Sequence, residues 1–126
     1  GGVTQVRFSH DGIHLYTGAR QDENILCYDV RQSQQPLASF ARRADTNQRI
    51  GFDLSADSRA LVTASRDGRV LVYDVSQPQQ PPSVWLTYPD AVNGATLHPF
   101  LPLLAVAVGE RHFPLPVDDE DEDEDE

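Results

Sequence analysis

The sequence contains no lysine and no methionine, a single cysteine, a single tryptophan, and no long apolar run. With Cys27 alone there can be no internal disulfide and no Cys-based zinc cluster, and a reducing compartment fits best. The longest apolar stretch, 101–108, contains Pro102 and falls far short of the roughly 20 residues a membrane helix needs. Gly1-Gly2-Val3 shows neither an initiator methionine nor a signal-peptide pattern, so the chain reads as a soluble intracellular fragment or trimmed product. His10, His14, His98 and His112 lack metal-ligand spacing, and no active-site constellation stands out. No enzyme activity, cofactor or metal is expected.

With lysine absent, all ten basic residues are arginines. A guanidinium grips phosphate in a planar, bidentate way that an ammonium does not. Codon bias in a GC-rich genome is the plainer explanation. The net charge of −10 sits almost wholly in 118–126, where all nine residues are acidic. Without them 11 acids face 10 bases, a net charge of −1, so the low pI describes a tail and not the body. That leaves nucleic-acid binding by the body open. At 126 residues there is room for one small domain.

The chain repeats itself. Residues 3–30 align with 48–75: Phe8 with Leu54, Asp11 with Asp57, Leu15 with Leu61, Gly18-Ala19-Arg20 with Ala64-Ser65-Arg66, and Tyr28-Asp29-Val30 with Tyr73-Asp74-Val75. The offset is 46 residues before the Arg20/Arg66 turn and 45 after it. A third copy begins at Asn93, where Leu97 and Leu104 answer Leu54 and Leu61 at an offset of 43, and it lacks the Tyr-Asp-Val ending. Asp11-Gly12 and Asp67-Gly68 between apolar runs are hairpin signals, because a tight turn needs positive φ at its centre. Val70-Leu71-Val72-Tyr73 is the short β-branched run of a strand covered on both faces. The Gln/Ser/Pro-rich linkers 31–36 and 76–82 are loops, each followed by a short apolar segment, 37–40 and 84–88, that reads as a fourth strand.

A four-stranded unit of roughly 45 residues whose third strand ends in an aromatic-Asp pair resembles the WD40 repeat of β-propellers. Tyr28-Asp29 and Tyr73-Asp74 stand where that family has Trp-Asp, and its Gly-His pair is missing. A generic β-meander or sandwich is the alternative. The expected fold is therefore all-β: an incomplete WD40 β-propeller of about two and a half four-stranded blades. The expected units are a blade at 1–47, a second at 48–90, a partial blade at 91–117 and an acidic disordered tail at 118–126. With apolar faces open at both terminal blades, the fragment alone is expected to be marginal, oligomeric or aggregation-prone.

Longer stretches resemble the telomerase Cajal body protein family. They include Gly1-Gly2-Val3-Thr4, Gly18-Ala19-Arg20, Asp29 with Arg31-Gln32-Ser33, Thr46-Asn47-Gln48-Arg49-Ile50 followed by Phe52-Asp53-Leu54, and Leu97-His98-Pro99 followed by Leu101-Pro102-Leu103-Leu104-Ala105. Gly109, Arg111, Phe113-Pro114 and Pro116 continue the match. The resemblance covers residues 1–117 and places the chain in the C-terminal part of such proteins. It implies a nuclear, Cajal-body propeller that binds small Cajal-body RNAs through a short loop element, and in vertebrates the telomerase RNA, among other RNP proteins. No membrane and no DNA partner is implied. The alternative is a WD40 protein-interaction scaffold without RNA.

In a propeller the loops after second and fourth strands share one face. Arg20, Arg66, Arg69 and Arg111 belong to or flank the first loop type, and Arg42, Arg43 and Arg49 the second. A basic face of this kind binds phosphate through charge and counterion release. The RNA-binding candidates are Arg42, Arg43 and Arg49, supported by Arg20 and Arg66. Arg42 and Arg43 are expected to be exposed in the loop, Arg49 to enter a strand, and Arg59 to lie on the opposite face. Asp22 and Asp67 read as turn residues, Cys27 as a buried small hydrophobe, and Trp85 as blade-edge packing or a partner contact. Deleting 118–126 should leave the circular dichroism spectrum nearly unchanged; a large loss of β signal would make the tail structural.

Overall fold

A computed structural model describes residues 2–46 and 48–109, all-β among the described residues. Arg111, the end of the third unit and the acidic tail expected to be disordered lie outside the described residues. Among the described residues, ten strands form three sheets. The first is β1 (Val3–Phe8), β2 (His14–Ala19), β3 (Asn24–Asp29) and β4 (Ala38–Ala41), in that spatial order. The second is β5 (Phe52–Leu54), β6 (Ala60–Ala64), β7 (Arg69–Asp74) and β8 (Ser83–Thr87), again in chain order. The third pairs β9 (Val92–Leu97) with β10 (Leu104–Val108). All pairings are antiparallel, so each sheet is a meander. These successive antiparallel meanders are the stacked β-propeller blades that the repeats implied.

Period-two alternation decides how the sheets stack. Tyr16, Ile25, Cys27 and Phe40 of the first sheet pack against Phe52, Leu54, Leu61 and Tyr73 of the second. Residues one step along point the other way: Val62, Ala64 and Val70 pack against Val92 and Ala95 of the third, with Leu97, Leu104 and Val106 around them. The middle sheet is thus covered on both faces, which is why β6 and β7 read as nearly unbroken apolar runs. Phe40 is the largest fully buried side chain. Its ring lies 5.2 Å from that of Tyr73, whose hydroxyl donates to the Ala41 carbonyl at 2.7 Å.

Asp carboxylates punctuate each repeat. Asp11 accepts from the Ser9 hydroxyl at 2.5 Å and the Ile13 N–H at 2.9 Å; Asp57 repeats this with Ser55 and Arg59. Asp22 and Asp67 accept from Asn24 and Arg69 at the next turn, and Asp29 and Asp74 from Arg31 and Ser76 at the third. Such Asx turns replace backbone turns with a short side chain. The third copy departs: His98 stands where Ser9 and Ser55 stand, and its Nδ1 accepts from the N–H groups of Phe100 and Leu101. The one-residue change of offset falls at the second turn. Copy one places Gln21 at φ 62° there, and copy two places Gly68 at φ 91°. A Cβ on Gly68 would lie 2.2 Å from the Tyr88 carbonyl oxygen, and the Tyr88 N–H already donates to the Gly68 carbonyl at 2.7 Å.

Polar ties join the first strands of the sheets. The Gln5 amide donates to the Phe52 carbonyl at 2.7 Å and accepts from the Phe52 N–H at 3.0 Å. Asp53 is buried, pairs with Arg7 at 2.6 Å, and accepts from the Thr96 hydroxyl at 2.9 Å and the Leu97 N–H at 2.8 Å. One carboxylate therefore touches all three sheets.

Truncating Phe40 to Ala in the full-length protein should cost about 3–5 kcal/mol by chemical denaturation; a loss below about 1 kcal/mol would remove it from the core. The Arg31 guanidinium and backbone N–H hold the Asp29 carboxyl down at about 2, against an ordinary 3.8. A depressed carboxyl stabilises the fold above its ordinary value and loses that effect as pH falls from about 4 to about 2. Carboxyl NMR titration should place the Asp29 midpoint near 2, and Arg31→Ala should raise it; an unmoved midpoint would rule out the guanidinium as its cause.

Candidate nucleic-acid interface

The meander sends the β2–β3 and β6–β7 turns and the β4–β5 and β8–β9 connectors to one face. Arg20 follows β2 directly, Arg66 sits in the β6–β7 turn, and Arg42, Arg43 and Arg49 lie in the β4–β5 connector. Arg59, in the β5–β6 turn, lies at the opposite end. Arg20, Arg43, Arg49 and Arg66 are exposed.

Arg42 departs from expectation. Its residue is only 3 % exposed, not a free loop side chain. The guanidinium turns inward and donates from Nη1 to the Ile50 carbonyl at 2.6 Å. Gly18 makes the space: a Cβ there would come within 3.1 Å of both Arg42 Nη2 and the Phe52 ring. Burial pushes the Arg42 guanidinium down to about 10, partly offset by the negative charge of Asp22, so it stays a cation at neutral pH. It has no carboxylate contact, and its Nε and Nη2 find no hydrogen-bond partner among the described residues. In this position the guanidinium is turned away from the surface on which Arg20, Arg43, Arg49 and Arg66 are exposed. Arg49 also departs: it sits ahead of β5 in the connector, not in a strand, because β5 begins only at Phe52.

The same face carries Asp22, Glu23, Asp45, Asp67 and Asp90. Arg43 donates from Nε to Glu23 at 3.1 Å and from Nη2 to Asp45 at 3.3 Å, and Arg66 approaches Asp45 at 3.9 Å. The carboxylates of Asp45 and Glu23 hold the Arg43 guanidinium above its ordinary value. Arg69 pairs with Asp67 at 2.7 Å. The arginine face is therefore nearly charge-balanced, which the arginine count alone concealed. A phosphate reaching Arg43 must displace carboxylates already there. Arg20 and Arg49 form no ion pair among the described residues and are the open cations of the set.

Arg49 also borders a groove of about 450 Å³ along the first strands of the sheets, with Gln5, Arg7, Gly51, Asn93 and Thr96 in its wall. Backbone bonds fix the loops around it. The Arg42 N–H donates to the Glu23 carbonyl at 2.8 Å, the Arg43 N–H to the Ser65 hydroxyl at 3.0 Å, the Arg66 N–H to the Arg43 carbonyl at 2.8 Å, and the Gly51 N–H to the Asn93 carbonyl at 2.7 Å. Elsewhere Cys27 is buried, as expected, and its thiol is pushed up by burial. Trp85 is half exposed at a bulge in β8, opposite neither Val70 nor Leu71. Among the described residues no group of three His, Cys, Asp or Glu side chains is placed to hold a metal ion. Sequence reasoning missed Asp53; its signal was a carboxylate set between Phe52 and Leu54 in a short apolar strand.

Residues 36–74 match the family model described as "WD domain, G-beta repeat". That span runs from the end of the first sheet through the third strand of the second. The human protein named "Telomerase Cajal body protein 1" is 45 % identical over 123 residues, 94 % of this chain and 22 % of its own length. The Drosophila melanogaster "Telomerase Cajal body protein 1 homolog" is 42 % identical over 90 % of this chain and 21 % of its own length. The chain thus spans about a fifth of these relatives. Among solved structures, the Cps50 (Swd1) β-propeller domain of Myceliophteria thermophila aligns with a TM-score of 0.67 at 22 % identity, covering 84 % of this chain and 32 % of that one. U3-55K aligns with a TM-score of 0.67 at 18 % identity, over 82 % of this chain and 32 % of that one. At such identities these structures speak for the fold alone.

Proposed function

We propose that this chain, a run of WD40 propeller blades resembling the telomerase Cajal body protein family over 94 % of its length, is an RNA-binding part of a nuclear WD40 factor. That factor directs small Cajal-body RNAs to Cajal bodies, along with the telomerase RNA where a lineage uses it for telomerase. The observation carrying this reading is the 42–45 % identity to vertebrate and insect proteins of that name, sustained across nearly the whole chain. It is a binding role, not a catalytic one.

The chemistry follows from the arginine face. Arg20 and Arg49 are free to meet phosphate, while Arg43 and Arg66 would exchange Asp45 for it. Guanidiniums supply the charge term of binding, and sequence would be read from unpaired loop nucleotides by stacking and edge hydrogen bonds. A second reading, a protein-interaction propeller without RNA, is favoured by the near charge balance of this face and by exposed Trp85 on β8.

Crosslinking and sequencing on the full-length protein separates the two. Enrichment of small box H/ACA or C/D Cajal-body RNAs is expected; messenger background alone would favour the scaffold. With RNA bound, Arg20→Glu with Arg49→Glu should weaken affinity and flatten its salt dependence, by about 1 in slope per lost phosphate contact. Arg59→Glu should leave both nearly unchanged. Equal losses from the double reversal and from Arg59→Glu would mean that bulk charge, not this face, binds the RNA.

A further inference from the structure

We propose that Arg42 is a positioning residue: a buried strut that sets the spacing of the exposed arginines and itself contacts no RNA. This rests on the RNA-binding reading above for its consequence, but not for its geometry.

Arg42 stands where three loops meet. Its N–H ties the connector to the β2–β3 turn through the Glu23 carbonyl at 2.8 Å, and that turn carries Arg20. Its guanidinium reaches across the connector to the Ile50 carbonyl at 2.6 Å, immediately before Gly51, whose N–H holds the Asn93 carbonyl of β9. The bond joins residues eight apart and closes the neck of the segment that presents Arg43 and Arg49. The adjoining residue completes the hub: Arg43 donates its N–H to the Ser65 hydroxyl and receives the Arg66 N–H on its carbonyl, fixing the β6–β7 turn. The four exposed arginines of this face thus hang on loops that meet at Arg42-Arg43.

The composition of the hub argues against a purely stabilising role. A guanidinium buried without a carboxylate contact, with Nε and Nη2 unpartnered, is a poor way to fill that volume. An unbranched apolar side chain fills it without leaving donors unmet. What only a long donor-bearing side chain adds is the reach to Ile50. Gly18 fits this account, since a Cβ there would lie 3.1 Å from Nη2 and press on the guanidinium.

The test is Arg42→Met in the full-length protein, read three ways. The thermal midpoint should stay equal or rise. Amide hydrogen exchange at Gln48 and Gly51 should speed up at least tenfold, a readout that needs no RNA. Affinity for a fluorescein-labelled RNA hairpin with an unpaired loop should fall about three- to tenfold while the salt slope stays the same. A slope lower by about 1 would overturn the proposal by making Arg42 a phosphate contact. Unchanged exchange at Gln48 and Gly51 would overturn it by making the Ile50 bond dispensable. If the Met variant does not fold, Arg42→Lys, which keeps one donor, carries the same measurements with partial loosening expected. Should the unmodified protein bind no RNA, the RNA reading falls, and the exchange measurement still decides the strut.

Discussion

A four-stranded meander with apolar side chains on both faces cannot fold alone; it must be sandwiched. Everything in this chain follows from that requirement. The middle sheet meets it, with Leu61 and Tyr73 turned to one neighbour and Val62 and Val70 to the other. The outer sheets meet it on one side only. Val3, Val6 and Phe8 of β1 remain more than half exposed, although Phe8 occupies the place that Leu54 holds at 5 % exposure in the second copy. Identical repeat positions acquire different environments purely from what stands beside them.

Polar groups add direction to this stacking. Apolar faces alone would allow the sheets to slide, whereas Asp53 accepts from partners on β1 and β9 at fixed points, and the Gln5 amide bridges both backbone groups of Phe52. A buried carboxylate is tolerable because its oxygens are paired; removing Arg7 would leave the charge without its cation. The charge on the loop face obeys the same logic. Arg43, Arg66 and Arg69 are spent on neighbouring carboxylates, and the two exposed arginines that are not, Arg20 and Arg49, define where an anion can approach without first displacing an acid.

The fold was legible because hairpin turns and repeat period are local signals. Asp11-Gly12, Asp67-Gly68 and the Tyr-Asp strand ends each report on their own few residues, and together they set the strand order. The site was legible only in outline. An arginine in a polar connector reads as exposed, and nothing within 42–50 announces that Arg42 turns inward. The information lies at Gly18, in another strand, whose missing side chain only gains meaning once Phe52 and Arg42 are seen to crowd it. The pairing of Arg43 with Glu23 was hidden for a related reason: the two are 20 residues apart and meet through the β3–β4 hairpin. Long-range pairing of charged side chains leaves no periodic trace.

Gly68 carries a consequence for how this chain can change over time. Its turn and the β8–β9 connector lie so close that a single carbon added at this position would overlap the Tyr88 carbonyl. The first copy has Glu23 after the matching Asp22, so the repeat as such does not demand glycine; the φ of 91° at Gly68 and the neighbouring connector do. The two copies are therefore not interchangeable at this point. A substitution at Gly68 has no silent neighbour among the amino acids, whereas at the Asp beside it a short neutral acceptor could keep the bond from the Arg69 N–H and lose only the ion pair with the Arg69 guanidinium.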